Sequence, residues 1–291
     1  MQKEFKNNIS VITCSMNREY YLKKVLESTN KLDNLYEHIV VDYSSSKPLS
    51  TDLLKINPKS KLIRVVGEKK WWLSRAYNFA ASVAKGNILF KLDADTLINA
   101  ENINKLQHEF LNFNYFGFEF NKSLGNFLIK KSHFDEINGF NEYIYNWGYD
   151  DIDLQKRVSM SNSTKCKVLN GKKYINILNH PDKDRFNTDK NDFPSLSLAL
   201  HKKNRFIADN TNWDKEKILN YEQLEEDVFK INHFYTLKNL NLFVRQKYKI
   251  KFFQVYLNEK YNTNVFNRLS LLLYFVPYIF LKKVYKYEIY P

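Results

Sequence analysis

The sequence has few of the residues that build disulfide or metal scaffolds. It contains two cysteines among 291 residues, Cys14 and Cys166, and they form no Cys-x-x-Cys pair. A disulfide-rich secreted domain is therefore excluded, and the composition suits a reducing compartment. The apolar run behind the basic start is too short for a secretory signal, so we expect a cytoplasmic protein.

Glycine is also scarce, and its distribution divides the chain. All seven glycines lie at or before Gly171. Because glycine marks tight turns, we expect turns and strands first, and mostly helix from about Ser195 onward. Apolar patterns predict strands at residues 9–14, 37–43, 61–66 and 87–93, and helices at 18–28, 73–84 and 99–111. This alternation predicts an α/β fold, with a mostly parallel central sheet and helices on both faces.

Two glycine-rich phosphate-binding motifs are missing. No Gly-x-Gly-x-x-Gly follows the first strand and no P-loop motif occurs, so neither a dinucleotide site nor a P-loop is expected. Ligands of a parallel sheet bind at the carboxyl ends of its strands, and polar residues cluster after the predicted strands. These clusters contain Thr13, Ser15, Asn17 and Arg18, then Asp42, then Asp93, Ala94 and Asp95.

Acidic residues are outnumbered by basic ones. The chain has 45 Lys and Arg against 32 Asp and Glu, a net charge of +13, and much of the excess lies in residues 231–291. A basic surface attracts polyanions, which leaves nucleic acid, anionic lipid and phosphorylated ligands open as partners.

Carboxylates are clustered in two places, where they could bind a metal or act on a sugar. Asp93 and Asp95 flank one small residue, and such a pair of hard oxygen ligands suits Mg²⁺ or Mn²⁺ with phosphate. The alternative is an Asx turn or a helix N-cap. Asp150, Asp151 and Asp153 follow Trp147, an apolar plate of the kind that stacks on sugars. The alternative for these acids is a first helical turn stabilised by the helix dipole.

Three further polar residues are candidates with equally plain alternatives. His180 follows an apolar run and could complete a metal site with two carboxylates, or it could be an ordinary loop histidine. Arg75 and Asn78 share a helix face and could donate to phosphate and ribose, or they could be a solvated arginine and a capped turn.

Together these motifs resemble those of the GT-A glycosyltransferases, specifically the family-2-like group. The matching stretches are residues 10–18, 39–45, 73–96 and 138–157. The last is similar to the acceptor motif of β-1,4-galactosyltransferases and of bacterial chondroitin-polymerase-type enzymes. The chain departs from that motif at Asp150, where glutamate is usual, and at Ile152, which interrupts the acidic run. The acceptor sugar therefore stays open.

The resemblance implies a role for each matching residue. Asp151 would be the catalytic base, with Trp147 and Asp150 against the donor and acceptor sugars. The metal, Mn²⁺ or Mg²⁺, would be held by Asp93, Asp95 and His180. The donor would be bound by Thr13, Ser15, Asn17, Arg18, Asp42 (which would read the uracil), Arg75, Asn78, Asp93 and Ala94.

The function implied is metal-dependent, inverting sugar transfer. Gal, GalNAc, GlcNAc or Glc would move from a UDP-sugar to a glycan or lipid-linked glycan in bacterial capsule or lipopolysaccharide synthesis. One alternative is a sugar nucleotidyltransferase, which should carry a glycine-rich loop that residues 13–18 lack. Another is a basic nucleic-acid-binding protein. A glycoside hydrolase is disfavoured, because it would need no nucleotide pocket.

The resemblance also suggests a domain division. Residues 1–190 would form the catalytic domain, with a nucleotide-sugar half of about 1–98 and an acceptor half of about 99–190. Residues 191–291 would form a helical extension. Its apolar run 269–281 is shorter than the about 20 residues of a spanning helix and is flanked by Arg268, Lys282, Lys283 and Lys286. Residues 262–286 would lie on the inner face of the cytoplasmic membrane, or would pack as a terminal helix.

Overall fold

The computed structural model describes residues 8–68, 71–121, 123–144, 148–161, 163, 165–179, 193–210, 213 and 221–231. The chain divides into two compact units. The first consists of Met1–Phe140, Asp151–Asn179 and Leu219–His233, and the second of Asn141–Asp150, His180–Ile218 and Phe234–Pro291.

The described strands all belong to the first unit. They are β1 (Ile9–Ser15), β2 (Leu35–Tyr43), β3 (Ser60–Val66), β4 (Ile88–Lys91), β5 (Thr96–Ile98), β6 (Tyr115–Phe120), β7 (Ser123–Lys130), β8 (Cys166–Asn170), β9 (Ile175–Ile177), β10 (Tyr221–Glu225) and β11 (Val228–Ile231).

Six α-helices are described. They are α1 (Glu19–Thr29), α2 (Leu73–Val83), α3 (Ala100–Lys105), α4 (Lys131–Glu136), α5 (Asp150–Met160) and α6 (Phe193–Asn210). Short 3₁₀ helices occupy Thr51–Lys55, Leu106–Leu111 and Gly171–Lys173. None of the helices within the described ranges is long and apolar enough to cross a membrane.

The central sheet has nine strands in the order β10-β11-β3-β2-β1-β4-β7-β6-β8. Strands β11, β3, β2, β1 and β4 are parallel, whereas β7 runs antiparallel to β4. The strand order reverses between β1 and β4, because β2 and β3 lie on one side of β1 and β4 on the other. The carboxyl ends of β1 and β4 therefore border the crevice in which sheets of this kind bind ligands.

The core explains why these residues form these elements. Every residue of β1 and β4 is buried, as expected of central parallel strands covered on both faces. Helix α2 buries the small residues Ala76, Ala80 and Ala81, and the bulkier Leu22, Val25 and Leu26 form the buried side of α1.

The predicted alternation is confirmed for β1 to β4, α1 and α2, within two residues at most ends. The predicted helix 99–111 is instead α3 followed by a 3₁₀ helix. The sequence predicts mostly helix from Ser195 onward, and α6 agrees with that prediction. Residues 221–231 differ from it, because they form the β10–β11 hairpin, whose strand β11 pairs with β3. The predicted membrane segment 262–286 lies outside the described residues.

The β10–β11 hairpin is joined to the first unit by several contacts. The ring of Phe79 on α2 lies 4.5 Å from that of Tyr221 and 5.1 Å from that of Phe229. The Asp227 carbonyl accepts a 2.8 Å hydrogen bond from the Arg64 N–H, and its side chain lies 2.9 Å from the Lys61 ammonium. The hairpin is thus an integral edge of the sheet.

Candidate functional site

The loops that follow β1 and β2 are tied together at the crevice. Ser15 and Asp42 lie opposite each other at the ends of these strands. The Asn17 N–H donates to Ser45 Oγ at 2.8 Å, and Asn17 Oδ1 accepts from the Ser46 N–H and hydroxyl at 2.9 Å each. These bonds hold Asn17 at a positive φ of 60°. Asn17 is exposed, and its Nδ2 makes no hydrogen bond to any described residue, so it can donate to a ligand.

Asp42 organises the β2 loop. Its carboxylate is 1% exposed and accepts from the backbone N–H groups of Ser45 and Leu49, both at 3.1 Å. It also accepts from Arg64 Nη1 at 3.0 Å. These three bonds leave about one of the four acceptor positions of the carboxylate, on Oδ1, for a uracil. Arg64 was not a sequence candidate, because it is identified only by the strand register that places it opposite Asp42.

Beneath these loops lies a buried polar chain that includes Thr13. The Thr29 hydroxyl donates to the Leu26 carbonyl, so it accepts from His38 Nδ1 at 2.8 Å. His38 Nε2 then accepts from the Thr13 hydroxyl at 3.0 Å. Burial lowers the pKa of His38 to about 3, so the ring is neutral. The Thr13 hydroxyl is therefore already bonded, whereas the buried Ser15 Oγ has no partner among the described residues.

Arg75 and Asn78 of α2 make contacts that support the fold. Arg75 is fully buried, lies 3.4 Å from the centre of the Trp72 ring, and donates to Glu68 Oε1 at 3.0 Å. Burial raises the pKa of Glu68 in spite of the guanidinium beside it. Asn78 donates to the Phe140 carbonyl and accepts from the Phe140 N–H, both at 2.8 Å. The structure thus shows internal contacts for both side chains, and their predicted contacts to the donor stay predictions.

The Asp93–Asp95 turn directly follows β4. The Thr96 N–H donates to the Asp93 carbonyl at 3.0 Å, and the Asp93 N–H donates to Asn126 Oδ1 at 2.8 Å. The Asp93 carboxylate is 34% exposed and accepts from Lys91 through Oδ1 at 2.8 Å. Asp95 is buried. Ala94 packs in the apolar cluster that contains Leu22 and Leu26 of α1, which fixes the turn on the sheet.

Asp151 is the second residue of α5 and belongs to the same site as Asp93. Its Oδ1 is buried, makes no hydrogen bond to any described residue, and lies 3.7 Å from Lys91 Nζ. Burial raises the pKa of the Asp151 carboxyl, the Lys91 ammonium opposes that rise, and the nearby Asp93 adds to it. A partly exposed carboxylate with a raised pKa is suited to accept a proton.

An Asn-Gly-Phe turn fixes α5. Arg157 pairs with Asp153 one turn earlier, at 2.8 Å, and donates through Nη1 to the carbonyls of Ile137 and Gly139. Gly139 has a φ of +64°, and an added Cβ would lie 2.4 Å from Asn78 Oδ1. Only glycine suits this position. The turn therefore connects α2 to the helix that carries Asp151.

The second unit holds the residues that precede Asp151. Asp150 begins α5 and is buried. Asn204 of α6 donates to the Gly148 carbonyl at 2.7 Å, and the rings of Tyr149 and His201 meet edge to face at 5.2 Å. Gly148 has a φ of +94°. Trp147 and His180 lie outside the described residues, so their predicted roles stay predictions.

The site suits a divalent cation that shares its ligands with phosphate. No group of three His, Cys, Asp or Glu side chains that could hold a metal occurs in the part of the chain described. Asp93 and Asp95 are two hard oxygen donors, and Asp93 Oδ2 accepts no hydrogen bond from a described residue. Mg²⁺ and similar ions are typically bound by one or two carboxylates plus substrate phosphates, so the pair fits such an ion.

Three residues that contact the Asp93 turn were not candidates from the sequence, where their signals are weak. Lys91, Tyr77 and Asn126 all bond to the Asp93 turn, yet Asn126 is 33 residues away along the chain. Only Lys91 has a local signal, because it lies two residues before Asp93 and on the same side of an extended strand end.

Comparison with known proteins identifies similar chains. The family model described as Glycosyl transferase family 2 matches residues 10–170. No curated protein sequence shows significant similarity. The mannosyltransferase PcManGT from Pyrobaculum calidifontis, in complex with GDP-Man and Mn²⁺, has a TM-score of 0.52 and 16% identity over 69% of this chain and 63% of its own. The chain thus spans less than two thirds of that structure's length.

Two further structures are similar. One is TarS from S. aureus, with a TM-score of 0.50 and 16% identity over 92% of this chain and 86% of that one. The catalytic domain of Drosophila beta1,4galactosyltransferase 7, in complex with xylobiose, has a TM-score of 0.48 and 12% identity over 78% and 93%. The fold shared with PcManGT and TarS is the GT-A fold predicted from the sequence.

Proposed function

The chain belongs to glycosyl transferase family 2, and we propose that it moves a hexose from a UDP-sugar to a glycan hydroxyl, with inversion at the anomeric carbon. Glycosyl transfer itself follows from the family and the fold. The proposal adds the donor, the stereochemistry and the metal. One observation supports it most: Asp93, at the carboxyl end of β4, and Asp151, on α5, both lie against the Lys91 ammonium.

The donor half of the proposed site is the crevice between β1 and β4. The Asn17 amide and the Ser15 hydroxyl are polar groups of the first loop that have atoms left to bond a nucleotide. Asp93 and Asp95 would hold Mn²⁺ or Mg²⁺. When bound, such an ion neutralises the charge that develops on the leaving diphosphate. The similar structure PcManGT contains GDP-Man and Mn²⁺, which supports a metal-bound nucleotide-sugar.

Asp151 would act as the general base. Its carboxylate accepts the proton of the acceptor hydroxyl as that oxygen bonds to the anomeric carbon. The bond from the anomeric carbon to the phosphate oxygen breaks on the opposite face, and the electron pair leaves with the nucleoside diphosphate. One displacement with one base inverts the configuration. The two carboxylates of a hydrolase mechanism are not required.

The acceptor side is proposed from position in the chain. Trp147 and Asp150 lie directly before Asp151, and we propose that they contact the acceptor and donor sugars. The acceptor would be a glycan or lipid-linked glycan of bacterial capsule or lipopolysaccharide synthesis. The basic segment 262–286 would bring the enzyme to the inner face of the cytoplasmic membrane, close to a lipid-linked acceptor.

A donor panel tests the proposal. The full chain is incubated with UDP-Gal, UDP-GalNAc, UDP-GlcNAc, UDP-Glc or GDP-Man and Mn²⁺, and released nucleoside diphosphate is measured. We expect release from one UDP-sugar, loss of release in EDTA, and loss of release in Asp151→Asn. Release from GDP-Man alone would reject the uridine donor, and full activity in EDTA would reject the metal role of Asp93, Asp95 and His180.

The same assay separates the alternatives. A sugar nucleotidyltransferase would consume a nucleoside triphosphate and release pyrophosphate. A nucleic-acid-binding protein would release nothing and would bind random DNA in a strongly salt-dependent manner.

A further inference from the structure

Lys91 is a buried lysine that the proposed reaction has not yet used. It is the last residue of β4, and its side chain is 1% exposed. Its ammonium donates to Asp93 Oδ1 at 2.8 Å and to the Gly125 carbonyl, and lies 3.7 Å from Asp151 Oδ1. The Tyr77 ring lies 4.8 Å from the same nitrogen. The ammonium therefore contacts one carboxylate on the donor side and lies close to another on the acceptor side.

A buried ammonium destabilises the fold unless neighbouring groups compensate its charge. Burying a charge is unfavourable unless that charge is paired and hydrogen-bonded. Two nearby carboxylates also repel each other, and a cation between them favours their ionised forms. Asp151 Oδ1 has no hydrogen bond to a described residue, so the Lys91 ammonium, 3.7 Å away, is placed to orient it.

We propose that Lys91 is a positioning residue, which holds the carboxylates of Asp93 and Asp151 in one fixed arrangement through a single ammonium. The donor-side carboxylate and the base are thereby set relative to each other before either substrate is bound. This inference rests on the proposed function. It adds a residue that contacts neither the anomeric carbon nor the acceptor and acts through the two aspartates.

Tyr77 provides a matched control in the same place. The one hydrogen of its hydroxyl is shared between the Leu92 carbonyl, at 3.1 Å, and Asp93 Oδ1, at 3.3 Å. Tyr77→Phe removes a hydrogen bond to Asp93 but leaves the positive charge at Lys91. Lys91→Met keeps the approximate length of the side chain and removes the charge. The pair of variants therefore separates the effect of the charge from that of a lost hydrogen bond.

Two measurements on the full chain test the role. The first is kcat and KM for the donor found in the panel, and the second is Mn²⁺ binding in the presence of UDP, followed by electron paramagnetic resonance. For Lys91→Met we expect kcat to fall about tenfold to hundredfold, because a misplaced base is poorly aligned. We also expect Mn²⁺ to bind more tightly, because the loss of a positive charge beside the carboxylates outweighs the freedom that Asp93 gains, since Tyr77 still bonds to its Oδ1.

The control variants sharpen the expectation. Tyr77→Phe keeps the ammonium, so we expect its kcat to fall clearly less than that of Lys91→Met and its Mn²⁺ binding to stay at the wild-type level. Lys91→Arg keeps the charge, so it should recover part of kcat and restore wild-type Mn²⁺ binding. A merely structural role predicts the contrary for Lys91→Met, since a loosened site binds Mn²⁺ more weakly as it loses activity.

The outcomes that overturn the inference are distinct from those that overturn the function. Wild-type kcat in Lys91→Met, or weaker Mn²⁺ binding in that variant, rejects the positioning role while Asp151→Asn still reports on catalysis. If Lys91→Met does not fold, Lys91→Gln, whose amide can still donate to the Gly125 carbonyl, takes its place. If neither folds, the lysine is structural and the inference falls. If no donor is turned over by wild type, the proposed function falls, and Mn²⁺ binding alone decides the role of Lys91.

Discussion

The proposed role of Asp151 as the general base can be tested by substitution. Asp151→Asn keeps the size of the side chain and removes its basicity, and losing a general base lowers kcat by about 10²–10⁴-fold. Nucleotide binding should be close to normal, because the β1 and β2 loops are unchanged. Donor turnover and UDP binding by calorimetry measure the two effects. The matched control is Asp153→Asn, which breaks the ion pair with Arg157 and should lower stability more than kcat. Retention of more than about a tenth of kcat in Asp151→Asn would reject the base assignment.

Asn78 should matter for folding more than for binding. Asn78→Ala leaves both the N–H and the carbonyl of Phe140 without their 2.8 Å partners. Each unpaired buried group costs about 1–3 kcal/mol, so for two groups the free energy of unfolding should fall by about 2–6 kcal/mol. Urea denaturation measures this change. Ser82→Ala on the same helix alters only an exposed hydroxyl that bonds to Phe79, and its effect should stay within about 0.5 kcal/mol. Weaker UDP binding by folded Asn78→Ala, at unchanged stability, would instead support the predicted contact of Asn78 to the donor.

Strands β1 to β4 and helices α1 and α2 can be predicted from the sequence, because their apolar residues follow the period of the element and the strands are buried runs. Strand β10 cannot be predicted in this way. Four of its five residues are exposed, so no local pattern marks it, and it forms because β11 beside it pairs with β3, far earlier in the chain.

The same limit applies within the site. The position of Asp93 and Asp95 can be predicted, because an apolar run marks the strand before them. Their binding role follows because ligands of a parallel sheet bind at the carboxyl ends of its strands. Asp151 is identified by a motif. The bonds of Asn78 to Phe140 span 62 residues, and Arg64 meets Asp42 only through strand register. Side chains that brace a site across such separations carry no local signal, so the internal contacts of Arg75 and Asn78 cannot be predicted from the sequence, and their donor contacts stay predictions.

The β10–β11 hairpin should stabilise the first unit although it lies beyond the family match. Phe229→Ala removes the ring that packs on Phe79 and on the sheet edge. Because Phe229 is only half-buried, we expect a loss of about 2 kcal/mol in the free energy of unfolding, below the range for a full core position. Leu224→Ala in the same hairpin is the control, since Leu224 is 49% exposed and should change stability by less than about 0.5 kcal/mol. Equal effects of the two variants in thermal denaturation would show that the hairpin does not brace the sheet.

The stability of the whole molecule should depend on pH through His38. The pKa of His38 lies near 6.5 when the ring is exposed and falls to about 3 in the fold. Between these values the unfolded chain binds a proton that the folded chain does not, so the fold loses stability as the pH falls below about 6.5. The contribution of this group approaches about 1.4 kcal/mol per pH unit within that window. Urea midpoints from pH 7.5 to pH 5 should fall less steeply in His38→Gln, and identical slopes for the two proteins would contradict this origin.

The basic segment should bring the whole chain to anionic membranes. Arg268, Lys282, Lys283 and Lys286 flank the apolar run 269–281, and each charge near such a surface contributes about 1 kcal/mol, screened by salt. The full chain should sediment with phosphatidylserine vesicles at low salt and less so at high salt. Replacing the three lysines by glutamine should abolish sedimentation while leaving the melting temperature unchanged. A packed terminal helix predicts the reverse, namely no vesicle binding at any salt and a lower melting temperature in the variant.

The pairing of β11 with β3 has a consequence during synthesis on the ribosome. The last residue of β3 is Val66, whereas β11 ends at Ile231. At about 5–20 residues per second, β3 therefore emerges on the order of ten seconds before its outer neighbour exists. Throughout that interval the nascent sheet presents an open edge, the kind of surface through which unfinished chains aggregate. A gene fragment that stops at the end of the family match would make that exposure permanent, so the shorter protein should accumulate in inclusion bodies although Asp93, Asp95 and Asp151 are all present.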